Sequence, residues 1–290
     1  MLIYPFAQAK AVLEGCADIG ASAPEELTAQ LGCVIGPDGA PVVMIVPTWC
    51  GLPEDGEARV APFRKLGTLL ASTVDVKPYG ASLTVFDPYL AHGQWTFMET
   101  CWLPVLDGGS IVFIEAMAAA VSPGCAIFTH EFRGAASRVP VEATAFGLRC
   151  DHVLVEILAT FADRSDKLEE QRHEQWARAT LSALGATTLP GGYPNLLAGG
   201  NTDRAAKSFG PNAGRLIKAK RHDDPDNIFC SAIPLPASST GTSRPALMSG
   251  PMWNRDRRVT PWPARAGGAK SRHRPQQHRR GPVATRGRHR

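Results

Sequence analysis

Apolar residues first recur at helical spacing at Phe6, Ala9, Leu13 and Cys16, behind a proline suited to a first turn, which predicts a helix over Pro5 to Ile19. Ser22 followed three residues later by Glu25 has the form of a capping box and predicts a second short helix through Leu31. The unbroken apolar, β-branched run from Val42 to Trp49, closed by Gly51, reads as a buried strand. Helical patterns follow at Glu57 to Leu70 and Ser110 to Ala120, and strand patterns at Ala126 to Phe132 and Val153 to Phe161. Asp166, with Glu169 three positions on, predicts the start of a long helix reaching about Leu184. A shorter helix is expected from Asn212 to about Arg221, stopped by Asp223, Asp224, Pro225, Asp226 and Asn227 and anchored by Ile228 and Phe229. Strands with helices gathered at one face define an α+β class. No GxGxxG follows a strand, so a Rossmann site is not indicated.

Periodicity ends near Ala237. From there to Arg290 the chain holds twelve Arg and one Lys against the single acid Asp256, a balance of +12, while residues 1–236 hold 18 basic and 26 acidic residues, a balance of −8. So little apolar surface cannot offset the entropy of ordering, and the expectation is a disordered basic tail. Charge alone allows an arm for nucleic acid, but no aromatic or spacing motif supports it. A chance extension without selected function is the reading taken, and nucleic acid is not an expected partner.

Hydrophobic residues make up 44% of the chain, enough to fill a core. No apolar run approaches the roughly 18 residues of a membrane span, and Met1 to Tyr4 lacks the basic start of a signal peptide, so the expected setting is cytoplasmic, away from membranes. The seven cysteines show no CxxC or zinc-like spacing and read as reduced, buried thiols; no metal is expected.

The stretch richest in chemistry runs from Gly191 to Pro236. It opens GGYPNLLAGG, with Tyr193 and Asn195 two apart around Pro194, a spacing that puts both side chains on one face if the segment is extended. It continues FGPNAGRLIKAKRHDDPDNIFCSAIPLP. This ordered set resembles the C-terminal element of berberine-bridge-enzyme-like oxidases: a Tyr-x-Asn, then Gly210, Asn212, Arg215, Leu216 and Lys218 or Lys220, then Asp224, Pro225, Asn227 and Phe229. HEFRGAASRVP at His130 to Pro140, the run Thr144, Ala145, Phe146 and Arg149, and Trp176 with Arg178 are similar too, so the resemblance spans most of residues 1–236.

The resemblance implies an antiparallel sheet backed by helices over residues 1–190, which is the substrate domain, and a C-terminal berberine-bridge-like element over 191–236, with 237–290 as the tail. It implies an FAD-linked oxidase acting on an alcohol, sugar or amine, with oxygen as acceptor. Tyr193 would be the catalytic base, and Tyr193, Asn195 and Asn227 would touch the flavin. The flavin domain that holds most of the cofactor in such proteins has no counterpart in these residues. A flavin domain is therefore an implied partner beside the small-molecule substrate, and FAD binding by the chain alone is expected to be weak or absent. A non-catalytic fragment that keeps the substrate-domain fold is the alternative.

From the residues themselves, Tyr193 has two readings, a core tyrosine with its hydroxyl satisfied or a base. A free phenol, with a pKa near 10, serves as a base near neutrality only where positive charge or hydrogen bonds favour its ionised form. His130 and Arg133 alternate with apolar residues on a strand and face either a cavity or solvent. Asp151 and His152 are adjacent and so point to opposite faces. Asp224 to Asn227 reads as a turn, and Glu169, Glu170 and Glu174 as a solvated helix face.

Overall fold

The computed structural model describes residues 1–87, 93–197, 201–226 and 228–229. Asn227 and the basic segment from Ala237 lie outside the described residues. In chain order the elements are β1 (Leu2–Pro5), α1 (Ala9–Ala21), β2 (Leu27–Ile35), β3 (Pro41–Trp49), α2 (Pro53–Arg64), β4 (Ala71–Ser72), α3 (Tyr79–Ser82), β5 (Trp95–Leu103), α4 (Gly109–Ala118), β6 (Cys125–Phe132), β7 (His152–Phe161), α5 (Lys167–Leu184), α6 (Thr202–Ser208) and α7 (Ala213–Asp223). The strands form one antiparallel sheet in the order β4-β1-β3-β2-β6-β7-β5, which is the expected α+β class.

Register explains where the core lies. Ile45 pairs with Leu31, Leu31 with Thr129, Thr129 with Val155 and Val155 with Cys101, so one row of side chains crosses five strands on a single face. The neighbouring row on that face carries Val43, Cys33, Ile127 and Ile157, all fully buried. Against these rows pack Val12, Leu13 and Cys16 of α1, Phe113 and Met117 of α4, and Trp176, Ala177 and Leu184 of α5. Those positions recur at helical spacing, so each helix turns one apolar stripe to the sheet. Each such large side chain contributes about 1.5–3 kcal/mol by leaving water. The six described cysteines are free, and burial pushes the thiols of Cys16, Cys33 and Cys101 up to about 12.

Asp166 caps α5 as the sequence predicts, accepting from the amides of Leu168 and Glu169 at 3.0 Å. The capping box at Ser22 does not form a helix. Ser22 instead closes α1 by donating to the Ile19 carbonyl, and Glu25 pairs with Arg138, which holds its carboxyl below the usual range. Leu27, Ala29, Leu31 and Cys33 alternate inward along β2, and pairing with β3 on one side and β6 on the other outweighs the local cap. Trp95 to Leu103 escapes a periodicity reading because Glu99 and Thr100 interrupt its apolar pattern, yet it is β5, a nine-residue strand.

Candidate functional site on the open sheet face

The alternate positions of the same strands face away from the helices. Val34, Val42, Val46, Phe128, Leu154 and Leu158 stand there half-buried, against full burial of Cys33, Val43, Ile45, Ile127, Val155 and Ile157 on the covered face, although Met44 and Thr100 on this face are buried too. One end of this face is sealed. Trp102, Phe132, Phe146 and His152 pack together, with the His152 ring stacked on Phe132 at 4.5 Å. Because a carbonyl only accepts, His152 Nδ1 carries its proton toward the Cys150 oxygen at 2.8 Å, and burial lowers the pKa of the ring. The covering segment is pinned by Arg149, which donates to the Ala136 carbonyl and the Thr144 hydroxyl, and by Asn212, which donates to the Val141 carbonyl at 2.8 Å.

The middle of the face is open and carries a polar string. Glu156 Oε2 lies 3.4 Å from His130 Nε2, which lies 3.5 Å from Gln30 Nε2. Glu156 is directly opposite Phe128 on one side and Thr100 on the other, with Leu154 and Leu158 two residues away on its own strand. Its side chain is 18% exposed and that of His130 43%. A carboxylate in such apolar surroundings can accept a hydroxyl or ammonium proton from a bound molecule, while the imidazole fixes its orientation. Glu156 and Gln30 were missed from sequence. The available signal was that Glu156 is the one charged residue within His152 to Phe161, a strand apolar on both faces.

His130 is thus the strand histidine that faces the open side, whereas Arg133 does not join it. Arg133 donates to the carbonyls of Ala23, Pro24 and Leu27 and ties down the turn before β2. Asp224 has the turn role read for it, accepting from Lys220 and from the amides of Ile228 and Phe229 at 2.8 and 3.0 Å. Asp151 is exposed, and Glu170 and Glu174 are held by Arg164, Lys167 and Arg178 along α5.

Tyr193 and Asn195 meet, although by a different geometry from the extended one. Pro194 to Leu196 form a single 3-10 turn, and Asn195 Nδ2 donates to Tyr193 Oη at 3.0 Å. Tyr193 is 36% exposed, and Tyr4 shows what the other reading looks like. Tyr4 is fully buried, donates to the Phe63 carbonyl at 2.6 Å, and is pushed up to about 12 by burial. The Tyr193 hydroxyl accepts from Asn195. The segment leading to it runs along the outer edge of β5, where the Leu189 amide donates to the Trp102 carbonyl at 2.7 Å. Arg204 then joins Gly191 to Thr100, the cross-strand neighbour of Glu156. Tyr193 and Asn195 thus bring a hydroxyl and an amide together beside β5. Among the described residues no three metal-ligating side chains gather.

Helices on one face and a half-open apolar face on the other define an α+β platform that presents one sheet surface. No family model matches the chain, and no curated protein matches it. Solved structures do. BBE-like protein 28 from Arabidopsis thaliana aligns with a TM-score of 0.69 at 13% identity, over 81% of this chain and 56% of that one. Berberine bridge enzyme from Eschscholzia californica aligns at 0.61 and 14%, over 83% and 54%. A third, 6-hydroxy-D-nicotine oxidase from Arthrobacter nicotinovorans, aligns at 0.62 and 17%, over 78% and 51%. The chain therefore has the fold of part of the berberine-bridge-enzyme-like structures, as its motifs imply, and spans about half the length of those it matches. No helix among the described residues is long and apolar enough to cross a membrane.

Proposed function

We propose that this chain is the substrate-side part of an FAD-dependent oxidase that acts on an alcohol, sugar or amine, with oxygen as electron acceptor. The observation that carries the reading is the Tyr193–Asn195 pair, joined at 3.0 Å in the segment beside the edge strand β5 of a fold shared with such enzymes. Bound flavin would supply the redox chemistry, taking a hydride from the substrate carbon. Tyr193, ionised by prior loss of its own proton to solvent, would take the substrate's hydroxyl or amine proton at Oη, and the Asn195 amide donates to that oxygen. Glu156, oriented by His130, holds the polar end of the substrate, while Phe128, Leu154 and Leu158 cover its apolar body and exclude water. Tyr193, Asn195 and Asn227 are the residues that would touch the flavin ring.

Tight dinucleotide binding needs backbone donors around the pyrophosphate and a pocket over the adenine, and a single wall supplies neither. A flavin domain is the partner that would complete the site. The test is titration of the purified chain with FAD, followed by flavin absorbance near 450 nm, alone and with a flavin domain of a related oxidase added in trans. Weak or absent binding by the chain alone, with oxidation of an alcohol, sugar or amine by the pair, is the expected result. Submicromolar binding by the chain alone would contradict the proposed division of the site, and a pair that retains flavin but turns over none of the three substrate classes would contradict the oxidase reading.

A further inference from the structure

Immediately before Tyr193 the chain passes through Gly191 and Gly192, two residues with no side chains to fix their path. Their surroundings do the fixing. Gly191 has φ +93°, and a Cβ there would lie 2.9 Å from the Ser208 backbone, so α6 presses directly on this glycine. The Gly192 amide donates to Ser208 Oγ at 3.0 Å, and that hydroxyl in turn donates to the Arg204 carbonyl at 2.8 Å. A Cβ on Gly192 would lie 3.0 Å from Arg204 Nη2 and 2.7 Å from Leu197 Cδ2. Arg204 itself reaches three ways. Its Nε and Nη2 donate to the Gly191 carbonyl at 3.3 and 3.2 Å, Nη2 also donates to the Thr100 carbonyl, and Nη1 lies 3.7 Å from Glu99 Oε2.

Thr100 is the cross-strand neighbour of Glu156, so one guanidinium ties the strand beside the carboxylate to the segment that ends in Tyr193. We propose that Arg204, seconded by Ser208, is the positioning residue that sets the Tyr193–Asn195 pair against the open sheet face. Thr100 and Ser208 are each 1% exposed, so water is a poor substitute for the guanidinium in this clip. Lysine, a point donor, cannot bridge the Gly191 and Thr100 carbonyls with fixed geometry as the planar fork does. Glu99, 7% exposed, lies beside the fork at 3.7 Å, and burial holds its carboxyl above the ordinary range against the pull of Arg204 and Arg178.

This inference rests on the proposed role of Tyr193, but its test does not need a flavin or turnover. Nuclear magnetic resonance of the labelled chain reads the Asn195 side-chain amide, the Tyr193 ring and exchange of the Leu189 amide. In Arg204→Gln the Asn195 amide is expected to move to its solvent-exposed shift and Leu189 exchange to speed up about 100-fold, with partial recovery in Arg204→Lys. Arg164→Gln, which removes a different arginine paired with Glu170 and lying over Trp95, serves as control and should leave both signals in place. Should Arg204→Gln not fold, Ser208→Ala removes only the hydroxyl at Gly192 and is expected to shift the Gly192 and Asn195 amides. Unchanged Asn195 and Leu189 signals in a folded Arg204→Gln, or unchanged amides in Ser208→Ala, would overturn the positioning role and leave the oxidase reading standing. Failure of the reconstituted pair to turn over would do the reverse.

Discussion

The two faces of this sheet are built from the same strands, residue by residue in alternation, and they differ in what they ask of water. On the helix-covered face Val43, Cys33, Ile127, Ile157 and Val155 are fully buried. On the other, Val34, Phe128, Leu154 and Leu158 are equally apolar but only half-buried, and they surround a carboxylate, an imidazole and an amide. One face is saturated with contacts and holds the molecule together. Its opposite keeps apolar surface and polar groups in reserve, which is the composition of a binding surface. Apolar character on both sides of a strand locates the sheet, whereas the distribution of burial marks a candidate binding surface.

The largest effect should separate the faces by stability. Ile157→Ala empties a fully buried position and is expected to cost about 2–5 kcal/mol in urea unfolding, whereas the neighbouring Leu158→Ala, half-buried on the open face, should cost less than about 1.5 kcal/mol. Equal losses would mean that both faces are core and would break the comparison.

A smaller effect sharpens it within the open face, between the sealed histidine and the free one. Burial depresses the pKa of His152 in the fold, so its contribution to stability is present above the unfolded value of about 6.5 and is lost as pH falls through the depressed folded value. The melting temperature should therefore drop on acidification from pH 7.5 to 5.5, and the drop should be shallower in His152→Phe. Parallel curves for the two proteins would show that the aromatic end is not sealed.

Much of this was legible along the chain. Val42 to Trp49, Ala126 to Phe132 and Val153 to Phe161 declare themselves as strands by sustained apolar runs, and Asp166 declares the start of α5 by a cap that needs only its own next three residues. Ser22 to Leu31 did not, because the local cap competes with two strand partners far away in sequence, Met44 to Val46 and Phe128 to Thr129 among them. Tyr193 and Asn195 are singled out by motif alone, and the turn that joins them follows from Pro194. Glu156 and Gln30 were not found, since their meeting with His130 depends on register across three strands that no spacing within one segment encodes. Arg204 was hidden for the same reason, its partners lying 13 and 104 residues away.

The proposal that Tyr193 acts as the base is tested most directly by steady-state oxygen consumption of the chain completed with a flavin domain, for the wild type and for Tyr193→Phe. Among the described residues the Oη removed is bonded to the Asn195 amide at the surface, so the variant should fold and retain flavin like the wild type. Its turnover number is predicted to fall by about 10²–10⁴, the range for a lost general base. Equal turnover by Tyr193→Phe and wild type would contradict the account.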